Sequence, residues 1–297
     1  MSIATLLMPD FLMILLGFII YRMTNWGDTF WTGVEKMVYY LLFPALLFYS
    51  TARLKLHFET TGRLLEVGML ALLTGIVLTW IGKLLIKTEA MTYASGMQTA
   101  YRFNSYIALA IASRLAGEDG IGLMALLLGF GVPLCNIAAV HALASGSGKG
   151  NVLRELSKNP LLIATSCGLL FSVSGLVLPE IVGAVLLRLG NASLALGLLM
   201  VGAGLRLSAV RENKVMTAYF TAIKLLAVPA AALLIGRQVG LPDLQLKIVV
   251  LFCAMPTASS CFILATRMGG NGPATAFLVS FGTLLSALTL PFWLSVM

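Results

Sequence analysis

The chain has 297 residues, 59% of them hydrophobic and only 11% charged, with a formal net charge of +8 and a mean hydropathy of +0.95. Soluble domains carry about 25% charged residues, so this composition excludes an ordinary water-exposed surface and leaves an all-α integral membrane protein. The positive excess then reads as the positive-inside bias of membrane proteins, not as a nucleic-acid surface.

Ten apolar stretches follow in chain order: 9–23, 33–51, 65–86, 93–114, 121–144, 160–178, 181–205, 215–236, 246–266 and 273–296. Most reach the roughly 20 residues that a membrane crossing needs. The stretches 121–144 and 273–296 contain no Asp, Glu, Lys or Arg. No Lys or Arg precedes Arg22 and no small-residue cleavage pattern follows, so the first stretch is expected to be a retained helix and not a signal peptide. Cys135, Cys167, Cys253 and Cys261 lie inside apolar stretches without CxxC spacing. They read as packing residues, and no disulfide framework, metal or cofactor is expected.

Ten crossings put both termini on one side. With the termini outside, the inner connections hold eleven Lys and Arg, among them Lys83, Lys87, Arg154 and Lys158, and the outer ones hold seven. The termini are therefore expected to be non-cytoplasmic in a multi-pass protein of the inner (cytoplasmic) membrane.

Two stretches are broken near their middles, one at Tyr101-Arg102-Phe103-Asn104-Ser105 and one at Met255-Pro256-Thr257-Ala258-Ser259-Ser260. Ser105 and Pro256 are 151 positions apart, and the same offset aligns Met8-Pro9 with Asn159-Pro160, Gly17 with Gly168, and Arg63 with Lys214. The constant offset predicts two repeats, residues 1–148 and 159–297, joined by a flexible linker at 149–158. Five helices per repeat make the second repeat inverted, and paired broken segments in such repeats mark the substrate site of secondary transporters. The run Gly146-Ser147-Gly148-Lys149 leads into this linker, but Leu143 stands where a phosphate loop needs its first Gly, and Gly150 replaces the Ser or Thr.

Arg102 lies nine residues into its stretch, about 14 Å deep at 1.5 Å per residue. Lys224 is at similar depth in the eighth stretch. Charges at such depth face a partner or a wet cavity, although Lys224 could equally be a structural lysine. Asp10, Glu35 and Glu66 sit at helix starts, where they read as interfacial charges. Two deep cations beside acid-poor helices suggest an anionic substrate. Unwound backbone after each break adds free N–H groups and positive helix ends at mid-membrane, a setting for a carboxylate. Asn104 offers amide donors and an acceptor, and Ser105, Thr257, Ser259 and Ser260 offer hydroxyls. The competing reading is that Pro256 merely kinks its helix.

At Arg102-Phe103-Asn104-Ser105-Tyr106-Ile107-Ala108-Leu109-Ala110, at Asn159-Pro160-Leu161-Leu162 and at Ala254-Met255-Pro256-Thr257-Ala258, the chain resembles the auxin efflux carrier family in its short prokaryotic form. Plant members carry a proline directly before the fourth-helix Asn; here Phe103 stands there. The resemblance implies ten transmembrane helices as two inverted five-helix repeats, with broken helices four and nine crossing. It also implies a scaffold of helices one, two, six and seven through which members often form homodimers, and a mobile transport domain working by an elevator-like motion. By motif position, Asn104 is the polar substrate contact, and Pro256 and Thr257 mark the ninth-helix break.

The expectation is a permease, not an enzyme, that moves a small organic anion, a carboxylate such as malonate or an auxin-like acid, across the lipid bilayer. The candidate binding residues are Arg102, Asn104, Ser105, Lys224, Pro256, Thr257 and Ser259. A sodium- or proton-coupled symporter of the bile-acid-carrier type and a non-transporting membrane sensor remain alternatives. An intramembrane enzyme has little support: His141 is the only histidine within an apolar stretch, and HExxH is absent.

Overall fold

The computed structural model describes residues 3–53, 58–144, 160–205, 214–258 and 260–297. The expected linker 149–158 and Ser259 lie outside the described residues. Every regular element among the described residues is helical. Helical stretches at Thr61–Leu85, Ala90–Leu143, Glu180–Ala203, Lys214–Gln238 and Gly272–Val296 are long and apolar enough to cross a bilayer, and Phe11–Met23 and Ile163–Val173 are shorter apolar helices. Large apolar side chains such as Leu84 (85% exposed), Ile181 (82%) and Leu288 (72%) point outward. Lipid tails suit such a surface and water does not.

The chain forms two compact units: residues 1–62, 106–130 and 153–204, and residues 63–105, 131–152 and 205–297. Each draws on both halves of the sequence, so the units cut across the expected repeats.

In the first unit, α1 (Ile3–Met23) packs on α8 (Glu180–Ala203). The fit depends on glycine. A Cβ on Gly17 would meet the backbone of Leu199, and one on Gly202 would meet the backbone of Ile14 and Phe18. Lipid supplies no hydrophobic force between helices, so close backbone approach through small residues holds them. Next come α2 (Gly27–Met37), a π-helical turn at Val38–Leu42 and α3 (Phe43–Ala52). Helix α3 lies against α7 (Pro160–Val173), where Gly168 leaves room for Thr51 and the Phe48 carbonyl.

Helix α4 (Phe58–Leu85) begins in the first unit and runs into the second. Helix α5 (Ala90–Met97) ends in a tight 3-10 turn, Gln98–Ala100. The chain then leaves helical geometry until Ser105 opens α6 (Ser105–Ala144). Helix α6 is broken at Ala116 and Gly117, where Gly117 takes φ 56°, a conformation suited to a residue without a Cβ. The long apolar run Ala90–Leu143 is thus broken twice, and it contains two of the expected crossings, 93–114 and 121–144.

In the second unit, α9 (Lys214–Ala222) passes through a π-helical turn, Ile223–Ala227, into α10 (Val228–Gln238). Pro229 cannot donate to the Leu225 carbonyl four residues back. The turn widens there, and the Trp293 indole N–H donates to that carbonyl at 2.8 Å. Helix α11 (Asp243–Ala254) stops where Pro256 forces Met255 to an extended ψ of 141°. Helix α12 (Ser260–Arg267) and α13 (Gly272–Val296) complete the chain, and the Asn271 side chain caps α13 by accepting from the Ala274 N–H at 3.0 Å. Helix α13 packs on α5, α11 and α12, and the Ile223–Ala227 turn contacts the Gln98–Ala100 turn and α11.

Candidate substrate site

The second unit brings the two breaks, Tyr101–Asn104 and Met255–Ala258, into direct contact. A helix that stops leaves carbonyls and N–H groups without intrahelical partners, and in lipid each must find one within the protein. Here each break supplies the other. The Asn104 backbone N–H donates to the Pro256 carbonyl at 2.7 Å. The Thr257 hydroxyl donates to the Thr99 carbonyl at 2.6 Å, in place of the N–H that Phe103 would have given in a continuous helix. The Gln98 amide donates to the Cys261 carbonyl at 3.2 Å.

Lys224 serves the second break in the same way. Its ammonium donates to the Cys253 carbonyl at 3.1 Å, a group whose helical donor would have been the Thr257 N–H. A cation at a helix C-terminus also suits the helix dipole. The ammonium lies 5.9 Å from the Phe103 ring centroid, and the residue is 2% exposed. Its position in a π-helical turn fits the frequent use of such turns at functional sites.

Arg102 is half-buried. Its guanidinium donates to Gln98 Oε1 at 2.8 Å and to Ser260 Oγ at 3.1 Å, both neutral acceptors. Among the described residues, the salt bridges pair Arg53 with Glu118 and Lys247 with Asp243, and no carboxylate pairs with Arg102. Among the described residues its charge is therefore not balanced by a carboxylate. Asn104 is 2% exposed and Thr257 is 3% exposed, while Ser105 and Ala258 are only partly covered.

Phe103 holds the Tyr101–Asn104 break by packing. Its ring centroid is 4.4 Å from that of Phe252, and Gly131 leaves the space that both rings fill.

The structure thus gathers Arg102, Asn104, Pro256, Thr257 and Lys224 around one junction, with Ser105 at the start of α6. Gln98 and Thr99 were not among the sequence candidates. Gln98 carried a signal: a polar residue inside an apolar stretch, four positions before Arg102, is on the same helical face. Thr99 carried none, because its contribution is its main-chain carbonyl. A second polar set borders the junction. Asn271 donates its backbone N–H to Ser95 Oγ at 2.9 Å and its side-chain amide to Thr92 Oγ1 at 3.3 Å, and Thr275 donates to the Ser95 carbonyl at 3.2 Å.

Residues 147–294 match the membrane transport protein family. The chain is 24% identical over 304 residues to the uncharacterized transporter YfdV of Escherichia coli (strain K12), covering 98% of this chain and 96% of that protein. It is 21% identical over 287 residues to an uncharacterized transporter of Methanothermobacter thermautotrophicus, covering 95% and 94% of the two chains. The apolar helices make this a multi-pass membrane protein, and it is similar over residues 147–294 to the membrane transport protein family and over nearly its whole length to transporters.

Proposed function

We propose that this protein is a secondary transporter of a small organic anion, a carboxylate, and that the junction of the two breaks is its binding site. The observation that carries this reading is the Arg102 guanidinium, held between Gln98 and Ser260 with no carboxylate partner among the described residues. A protein that keeps an uncompensated cation at bilayer depth does so at a cost. An anionic ligand that arrives and leaves explains the cost. Backbone N–H groups at the starts of α6 and α12, with Asn104 between the segments, add donors for the same anion.

The accompanying architecture is ten transmembrane helices in two inverted five-helix repeats, with the fourth and ninth broken and crossing, and with termini outside the cytoplasmic membrane. Transport proceeds by elevator-like alternating access. Helices α1, α2–α3, α7 and α8, which share one compact unit with residues 106–130 of α6, form the scaffold in this reading, through which two copies associate.

Counterflow in proteoliposomes tests the reading, with malonate and indole-3-acetate as the first probes. A labelled acid should accumulate in vesicles preloaded with the same acid, and Arg102→Gln should reduce this at least about tenfold, as loss of a charged contact does. Equal counterflow by Arg102→Gln and wild type would remove the guanidinium from the site.

A further inference from the structure

Gln98 is fully buried in the tight turn that ends α5. Its side-chain nitrogen donates to two main-chain carbonyls at 3.2 Å, that of Ser95 in α5 and that of Cys261 in α12. Its side-chain oxygen accepts from the Arg102 guanidinium at 2.8 Å. Carbonyls only accept and a guanidinium only donates. A turned amide would set oxygen against two oxygens and N–H against N–H, so these neighbours permit one orientation. The main chain works in the same direction. The Arg102 N–H donates to the Gln98 carbonyl at 3.0 Å, which keeps positions 98 and 102 on one face although the helix has ended by Tyr101.

A glutamate would fill nearly the same space. Glu and Arg four residues apart form a common ion pair on helices, and that pair would cancel the charge of Arg102. Gln has the shape and reach of Glu without its charge. The second acceptor of Arg102, Ser260 Oγ at 3.1 Å, is neutral as well. Groups on both sides of the junction thus fix the guanidinium in place and leave its charge. Lys224 also has neutral partners, but it is 2% exposed, whereas Arg102, Ala258 and Ser260 are all partly exposed. Of the two cations, Arg102 is the one that is not sealed off.

We infer that Gln98 is a positioning residue of the anion site. Locked by the Ser95 and Cys261 carbonyls, its amide aims the Arg102 guanidinium through a neutral oxygen and keeps the positive charge available to a ligand. Gln98, being fully buried, acts through Arg102 and touches no ligand itself. This assignment rests on the anion-carrier reading above. Its consequence is that a carboxylate introduced beside Arg102 closes the site, because it takes the place of the carboxylate that would arrive.

The test measures binding of acetate, malonate, succinate and indole-3-acetate to purified protein by thermal shift, and their competition with counterflow in proteoliposomes. Wild type is compared with Gln98→Met, Gln98→Glu and Arg102→Gln. Gln98→Met gives up all three side-chain hydrogen bonds but leaves Arg102 charged, and should weaken binding by about three- to fivefold. Gln98→Glu should weaken it as much as Arg102→Gln does, by at least about tenfold. Ser260→Asp brings a carboxylate to Arg102 from the partly exposed side, at the first turn of a helix, where an acidic residue suits the dipole. It should also cost at least about tenfold, and it decides the charge question if Gln98→Glu does not fold.

Wild-type affinity in Gln98→Glu or in Ser260→Asp overturns the inference. So does wild-type affinity in Gln98→Met, which would mean that Arg102 needs no positioning. Gln98→Met as damaging as Gln98→Glu also overturns it, since the loss would then follow the hydrogen bonds and not the charge. If Arg102→Gln weakens binding and Gln98→Glu does not, only this inference falls. If none of the four acids binds to the wild type in either assay, the anion-carrier reading falls and takes this inference with it.

Discussion

The Asn104 backbone N–H donates to the Pro256 carbonyl at 2.7 Å, joining the interruption in one half of the chain to that in the other. Because the bond is made by main chain, Asn104→Ala preserves it and deletes only the side-chain amide. The variant is expected to fold and to lose transport. Uptake in proteoliposomes, measured beside thermal unfolding, checks both halves of this expectation. Unchanged kinetics would show that the amide has no part in recognition.

Thr257 is different, because its side chain closes the gap left at the Thr99 carbonyl. Thr257→Val keeps the shape and leaves that buried carbonyl unpaired, at a cost of about 1–3 kcal/mol. Thr257→Ser restores the hydroxyl and should recover most of the loss. Melting temperatures of the three proteins in one detergent decide the matter. Equal values for Val and Thr would mean that Thr99 finds another donor.

The Lys224 ammonium donates to the Cys253 carbonyl and lies over the Phe103 ring. Lys224→Gln keeps a donor of shorter reach and removes the charge. It is expected to lower stability while leaving the carboxylate affinity of the folded fraction within about threefold, because the Lys224 ammonium already serves a buried carbonyl. An affinity loss of the size produced by Arg102→Gln would return Lys224 to the anion site.

Gly202 and Gly17 let α1 and α8 touch backbone to backbone. A methyl group at either position meets main-chain atoms that have no rotamer to move, and such overpacking costs about 1–3 kcal/mol. Gly202→Ala should lower the melting temperature by several degrees without changing anion specificity. Gly33, where nothing lies within 4 Å of an added Cβ, is the control: Gly33→Ala should be neutral or slightly stabilising.

Much of the local structure was legible in sequence because its causes are local. Pro256 cannot follow a helical residue comfortably, so the position of the ninth-helix break could be read from one residue. Gly117 and the acidic pair Glu118 and Asp119 likewise marked the turn between two apolar stretches. The fourth-helix break had no such cause within its own segment. Its stability comes from Thr257, from the Pro256 carbonyl, and from Phe103 packed on Phe252, all supplied by contacts distant in sequence. The role of Lys224 was hidden for the same reason, since a lysine capping a carbonyl and a lysine awaiting a ligand have the same letter.

Composition and periodicity by themselves determined that this chain lives in a bilayer, that its elements are helices, and where two of them are interrupted. Those properties follow from transfer free energies and from steric limits on single residues, which act wherever the residue sits. Only the tertiary structure decided that the two interruptions satisfy one another, that Lys224 and Arg102 both find neutral partners, and that, among the described residues, the Tyr101 hydroxyl finds none. Pairing of buried polar groups depends on which atoms meet in space, and that is settled only when the helices pack.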